Sequence, residues 1–195
     1  MFTIKPCAAG CGRPAITGSN ICFIHQANPE REIRRITGLI SGSHIVTDMS
    51  AAGIRFENSD FSGIHFFGCN FMETSFSNCV LSATVMRMCF FDFAVFNNCD
   101  FSKSDLSFLS FAGARFRDCT FEGSELIHIN FTGATVSETS FNYSDLYNSR
   151  FINADISASN FIDCNLKRTY FISARQKAIS FKSSNTAEAV FELEE

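Results

Sequence analysis

Three cysteines and one histidine near the N-terminus have the residue types and the spacing of a metal site. Cys7, Cys11, Cys22 and His25 follow the pattern C-x3-C-x10-C-x2-H, with glycine, proline and asparagine in the intervening turns. Thiolate sulfur and imidazole nitrogen are ligands that zinc prefers, and two close pairs of them suit a closed tetrahedral site. The pattern predicts one structural Zn²⁺ in a module formed by residues 1–27, because four protein ligands leave no position open for catalysis.

The same four residues have a plainer interpretation, and the spacing alone leaves it open. In that interpretation, three free thiols and a surface histidine belong to a terminal segment without fixed structure. The segment also resembles the short Cys3His zinc motif attached to many bacterial and phage proteins, and Gly10-Cys11-Gly12-Arg13-Pro14-Ala15 carries the resemblance. The resemblance implies a bound metal and a bacterial or phage origin, but no particular task.

The other six cysteines belong to a pattern of period five that dominates the rest of the chain. From Phe56 to Phe171 every fifth residue is large and apolar, and sixteen of these 24 centres are Phe. Five fits neither the 3.6-residue period of an α-helix nor the alternation of a free strand, so the chain is predicted to be a repeat array. The residue two before each centre is usually small, and six of these are Cys69, Cys79, Cys89, Cys99, Cys119 and Cys164. We interpret them as small buried residues that stay reduced.

A second period, of twenty residues, predicts how the repeats are wound. Non-Phe centres recur at this spacing, at Met86, Leu106, Leu126, Leu146 and Leu166. This spacing predicts a coil with four sides of five residues, in which positions twenty apart stack. The repeats resemble the pentapeptide-repeat family in stretches such as Asn98-Cys99-Asp100-Phe101-Ser102 and Lys103-Ser104-Asp105-Leu106-Ser107. The resemblance implies an all-β fold, a right-handed four-sided β-helix solenoid, and 24 pentads would make six coils.

A stack of coils buries its axis only through neighbours, so both ends need covers. Asn28, Pro29 and the spacing of Ile33, Ile36 and Ile40 predict an amphipathic capping helix at the N-terminal end. The predicted division is a zinc-binding module at 1–27, a capping helix and linker at 28–45, the β-helix at 46–175, and a C-terminal cap and acidic tail at 176–195.

Charge and hydropathy limit the cellular setting and the partners. No apolar run reaches the length of a membrane span and no signal peptide is recognisable, so a cytoplasmic location without membrane contact is expected. Residues 1–40 carry a net charge of +3, and residues 56–175 a net charge of −5. A surplus of three positive charges is small for a nucleic-acid footprint, so contact between the zinc module and nucleic acid is kept only as a second alternative.

Catalysis is not expected. His44, His65 and His128 have no nucleophile or carboxylate motif beside them, and no glycine-rich phosphate loop is present. A coil filled by large side chains also leaves no internal pocket for a substrate.

A scaffold for protein–protein interaction is the function that remains, with a protein partner or self-association. Large apolar residues at nominally outward positions predict the interface. They are Val80, Val85, Met88, Phe90, Phe93 and Val95. The alternative is that these residues form an ordinary side of the coil, partly covered by a terminal segment.

The family resemblance implies another function, because some pentapeptide-repeat proteins protect or inhibit DNA gyrase with a rod that imitates duplex DNA. DNA gyrase is therefore an alternative partner. Two features argue against it: the acidic residues do not form a dense stripe, and no loop interrupts residues 56–171.

Overall fold

Within residues 4–192, which the computed structural model describes, the chain forms a parallel β-solenoid preceded by a short N-terminal module. The helical segments are α1 (Pro29–Ser41) and two 3-10 turns (Phe23–His25 and Thr186–Glu188). The strands are β1 (Ile45–Thr47), β2 (Arg55–Glu57), β3 (His65–Phe67), β4 (Ser75–Ser77), β5 (Val85–Arg87), β6 (Val95–Asn97), β7 (Asp105–Ser107), β8 (Arg115–Arg117), β9 (Glu125–Ile127), β10 (Thr135–Ser137), β11 (Asp155–Ser157) and β12 (Arg175–Lys177). In every strand before β12 the middle residue is buried, as the repeat centres require.

Parallel ladders join residues that are twenty apart in the sequence. One sheet has the strand order β1-β3-β5-β7-β9, and the other has the order β12-β11-β10-β8-β6-β4-β2. Single bridges form the two remaining sides: Val80 pairs with Asp60 and Asp100 on one, and Phe90 pairs with Asn70 on the other. The predicted all-β, four-sided solenoid is confirmed.

The solenoid has about seven turns, whereas the 24 pentads predicted six. The difference arises because the buried stack continues beyond both ends of the regular pattern. Val46 is buried at the first turn, and at the last turn Phe191 stacks on Phe171 with 5.2 Å between ring centroids. The predicted C-terminal cap at 176–195 therefore extends the stack itself, and the end of its acidic tail, 193–195, lies outside the described residues.

The axis of the solenoid is filled by columns of stacked phenyl rings. Phe111 is fully buried, and its ring centroid lies 5.0 Å from that of Phe91 and 5.3 Å from that of Phe131. Rings of neighbouring columns meet edge to face, as Phe111 and Phe116 do at 5.3 Å and 73°. Both arrangements are favourable for aromatic quadrupoles, so the repeated Phe centres form a continuous close-packed core.

Helix α1 packs against the N-terminal end of this core. The Asn28 side chain caps the helix by accepting a hydrogen bond from the Arg31 N–H at 3.0 Å. Ile36 and Ile40 are buried and join the same apolar cluster as the first repeat centres, while Ile33 is partly buried. Within residues 4–192, no helix has the length and hydropathy needed to cross a membrane.

The corners of the coil use left-handed backbone at regular intervals. Every fifth residue from Asp48 to Ser183 has a positive φ, and most of these residues are not glycine. None of them is Val, Ile or Thr, whose branched side chains fit this conformation worst. Each non-glycine corner costs roughly 1–2 kcal/mol of local backbone energy, which the ladders and the core must offset.

These corners predict the effect of simple substitutions at Ala83, an exposed corner with φ of 54°. Ala83→Gly should raise the free energy of unfolding by about 1 kcal/mol, because glycine relieves the backbone strain. Ala83→Val should lower it by about 1 kcal/mol or more. Urea unfolding monitored by circular dichroism measures both changes. Ser82→Gly is the control, since Ser82 has no positive φ and its replacement should destabilise the protein.

Candidate metal centre and interaction edge

The structure brings the four predicted metal ligands together. The ligand atoms of Cys7, Cys11, Cys22 and His25 all lie within 4.8 Å of one another. The Cys7 Sγ is 3.3 Å from the His25 Nδ1, and the Cys22 Sγ is 3.6 Å both from that nitrogen and from the Cys11 Sγ. Tetrahedral zinc with bonds of about 2.0–2.3 Å separates its ligand atoms by roughly 3.4–3.8 Å, so the donor set fits and these three distances lie close to that range.

Local backbone hydrogen bonds give the module its shape. Pro6 and Pro14 form an antiparallel bridge that closes the turn carrying Cys7 and Cys11, and the Cys7 N–H donates to the Arg13 carbonyl at 2.9 Å. Cys22 precedes one 3-10 turn and His25 is its last residue, and the His25 N–H donates to the Cys22 carbonyl at 3.1 Å. The Cys22 N–H donates to the Cys7 Sγ at 3.2 Å and so connects the two ligand pairs.

The charge state of the first ligand suits a metal. Hydrogen bonding to His25, followed by the Cys22 N–H, lowers the pKa of the Cys7 thiol to about 6. Burial raises the pKa of the Cys22 thiol. A thiolate is the form that ligates zinc, and N–H donors to sulfur stabilise it. Zinc bound here would supply a structural cross-link between the two ligand pairs.

The module is joined to the first turns of the solenoid. The Thr17 N–H donates to the Ser50 carbonyl at 2.8 Å, and the Ser50 N–H donates to the Thr17 Oγ1 at 2.7 Å. Arg13 and Glu73 form an ion pair at 3.5 Å, and Ile16 is buried in the main apolar cluster. These contacts fix the module on one corner of the coil.

The six cysteines of the coil lie in a different environment from the metal ligands. All six are buried, and none is in a disulfide. At Cys164, burial raises the pKa of the thiol to about 11, and the Sγ donates to the Phe141 carbonyl at 2.9 Å. At Cys69 and Cys119, hydrogen bonding to the stacked Cys89 and Cys99 thiols lowers the pKa instead. Burial is common to all six thiols and keeps a substrate away from them, which is consistent with the interpretation of these residues as small core residues.

The six apolar residues predicted to form an interface do not share one side of the solenoid. Val80 and Phe90 belong to the two bridge ladders, whereas Val85 lies in β5 and Val95 in β6, which are in different sheets. Positions five apart fall on successive sides, so the group encircles one turn. Phe93 lies at a corner, with its ring against Gly113: a Cβ added at Gly113 would be 2.7 Å from the Phe93 Cδ1. The six residues therefore do not form a single patch.

Part of that group does lie along one edge of the solenoid, together with aromatic side chains of later turns. We call it the aromatic edge and define it as Met88, Phe90, Phe108, His128 and Tyr147. Met88 and Phe108 are 62% and 59% exposed and occupy the same corner in successive turns. The Phe108 and His128 rings stack at 4.8 Å, and Tyr147 meets His128 edge to face at 5.9 Å.

Phe108, His128 and Tyr147 were not among the residues predicted for the interface, although the sequence contains a signal for the first two. Met88, Phe108 and His128 are twenty residues apart, which is the period that predicts stacking between turns. Neighbouring pentads lie on successive sides of one turn, whereas an edge contains one residue from each turn.

The sequence matches two models of one family. The model described as a pentapeptide repeat region matches residues 52–131, and the model of eight pentapeptide repeats matches residues 129–168 and 149–175. These matches cover most of the solenoid. The chain belongs to the pentapeptide-repeat family.

The fold of this chain is similar to the folds of solved structures. A trypsin-treated variant of QnrB1, a plasmid-mediated fluoroquinolone resistance protein, aligns with a TM-score of 0.55 and 20% identity over 73% of this chain and 82% of that chain. HetL, involved in heterocyst differentiation regulation in the cyanobacterium Nostoc sp. strain PCC 7120, aligns with a TM-score of 0.37 and 14% identity over 80% of this chain and 95% of that chain. No curated protein matches the sequence. At these identities the likeness concerns the fold alone.

Proposed function

We propose that this pentapeptide-repeat protein is a non-catalytic scaffold that binds another protein through the aromatic edge. The observation that carries the proposal is the exposure of Met88 and Phe108 at one corner in successive turns, with His128 continuing the line. Leaving a large apolar side chain in water forgoes about 1.5–3 kcal/mol relative to full burial. A partner that covers this edge would recover that free energy, and a second copy of the chain is included among such partners.

A non-catalytic role is supported by the surroundings of the histidines and by the filled core. His128 is held between the Phe108 ring and the Asn148 side chain, whose Nδ2 is 2.6 Å from the His128 Nδ1. His65 meets the Phe67 ring at 6.4 Å. These aromatic and amide contacts support a role in packing and recognition, because a general base needs a nucleophile within hydrogen-bond reach.

We also propose that the N-terminal module binds a structural Zn²⁺ and that the protein is cytoplasmic. The zinc proposal is supported by the spacing of the four ligand atoms and by the lowered pKa of the Cys7 thiol. In this proposal the metal holds the module in the form that contacts Ser50 and Glu73 of the solenoid. A cytoplasmic location suits thiolate ligands, which a reducing compartment protects from oxidation.

Binding to DNA gyrase is the second candidate function, and one surface favours it. An open groove of about 720 Å³ follows one corner, and its lining includes Asp100, Asp118, Glu122 and Glu138. The neighbouring sheet carries Arg115 and Arg117 on β8, which interrupt the negative charge. We therefore favour the aromatic edge. A gyrase supercoiling assay at low and high salt distinguishes the two candidates. Only a charge-based mimic of DNA would change gyrase activity at low salt and lose this effect at high salt.

Substitution of the aromatic edge should weaken partner binding without unfolding the protein. In the double variant Met88→Asn, Phe108→Asn, we expect at least about a tenfold loss of affinity for the partner or for a second copy. Asparagine tolerates the positive φ of both corners, so the melting temperature should change little. Sedimentation velocity measures self-association, and quantitative pull-down from the source cells measures partner capture.

The matched control is the double variant Phe93→Asn, Tyr143→Asn. These two aromatic residues are 64% and 65% exposed and also occupy positive-φ corners, but they lie outside the aromatic edge. The control should keep every interaction of the parent. Equal losses in both double variants, or full binding by the edge variant, would show that the contact lies elsewhere.

A further inference from the structure

A cleft of about 350 Å³ lies between the N-terminal module and the first turns of the solenoid. Its walls are mainly apolar: Pro14, Phe23 and Ile24 come from the module, and Met72 and Val95 come from the solenoid. The interior of the coil is filled, as the sequence predicts, so this cleft exists because the module is attached to the outside. Its volume is at the lower end of the range for small-molecule sites.

The charges at the cleft are uneven. Arg13 and Glu73 both line it and neutralise each other through their ion pair at 3.5 Å. Arg55 also lines the cleft, is exposed, and takes part in none of the ion pairs within residues 4–192. The cleft therefore presents one uncompensated guanidinium beside apolar walls.

We propose that this cleft binds a small apolar carboxylate. The planar guanidinium of Arg55 matches a carboxylate through two parallel N–H···O hydrogen bonds. The apolar body of the ligand would lie between the module, at Phe23 and Ile24, and the solenoid, at Met72 and Val95. Apolar walls with a single charged group that fixes orientation are the usual design of a small-ligand site. This site is separate from the aromatic edge, and the ligand is a small molecule rather than a protein.

The experiment is a calorimetric titration of the full chain with 1-naphthoate and with its uncharged analogue 1-naphthalenemethanol. We expect saturable binding of 1-naphthoate at one site, about tenfold tighter than binding of the alcohol, because one charge-assisted contact is present only in the acid. Arg55→Gln should reduce the affinity for 1-naphthoate to that for the alcohol and leave the alcohol unaffected. The exposed position of Arg55 makes unfolding by this change unexpected, and circular dichroism checks it.

The solenoid offers matched controls for both parts of the site. Arg115 occupies the position of Arg55 three turns later in the same sheet and lies away from the cleft, so Arg115→Gln should leave both affinities unchanged. Val95→Trp should fill the cleft and abolish binding of both probes, whereas Thr135→Trp, at the same position two turns later, should not.

Three results would overturn the proposal. The first is that neither probe binds saturably, which would point to a polypeptide as the occupant of the cleft. The second is equal affinity for the acid and the alcohol. The third is an affinity for 1-naphthoate that survives Arg55→Gln or falls equally with Arg115→Gln.

Discussion

Phe111→Asp is expected to abolish folding of the solenoid. Phe111 is fully buried between the rings of Phe91 and Phe131, so an aspartate there would have neither water nor a cationic partner. Loss of the ring alone costs about 3–5 kcal/mol, and the buried carboxyl adds several more, against a total stability of about 5–15 kcal/mol for a typical domain. Expression as insoluble protein, or a soluble form without a cooperative thermal transition, is the expected result.

Phe111→Leu is the control for the loss of the ring without the charge. Leucine already occupies repeat centres at Leu106 and Leu126, where it is fully buried. This variant should therefore fold and lose only about 1–2 kcal/mol of unfolding free energy, measured by urea denaturation. A soluble Phe111→Asp protein that melts cooperatively near the parent's temperature would mean that Phe111 does not lie in the core.

The interior of the solenoid could be predicted because each buried position is set by local spacing. One large apolar residue every five, with a small residue two before it, identifies the inward side chains without any knowledge of the neighbouring turns. The C-terminal end could not be predicted in this way. Gln176 occupies the middle of β12 where a large apolar centre is expected, so the regular pattern stops before Phe181 and Phe191, which nevertheless stack on the column below.

The two candidate sites also differ in whether local sequence spacing predicts them. The four residues of the metal centre lie within nineteen positions of sequence, and turns and one 3-10 helix bring them together, so local spacing was sufficient. The aromatic edge depends on contacts between turns. Val85 and Phe90 belong to adjacent pentads but lie on different sides, whereas Met88 and Phe108 are twenty apart and share a corner. The left-handed corners could not be predicted from local spacing either, because their signal is the absence of branched residues rather than the presence of glycine.

Removal of two metal ligands should eliminate zinc without unfolding the solenoid. Protein purified without chelator should contain about one zinc per chain by elemental analysis, and the double variant Cys7→Ser, Cys22→Ser should contain none, because one cysteine is lost from each ligand pair. Zinc binding to such sites is worth about 10–16 kcal/mol at neutral pH, so the module should lose its order with the metal. Limited proteolysis should then cut the first 27 residues faster, while the main thermal transition changes little.

The matched control removes two thiols from the solenoid instead. Cys79 and Cys99 occupy a buried position where a later turn already has the buried Ser159, so Cys79→Ser, Cys99→Ser should fold and keep its zinc. The comparison separates a specific site from general binding of metal by thiols, because both variants contain seven cysteines. Equal zinc contents in the two variants would contradict a site at Cys7, Cys11, Cys22 and His25. Loss of the main thermal transition only in the first variant would show instead that the solenoid depends on the module for folding.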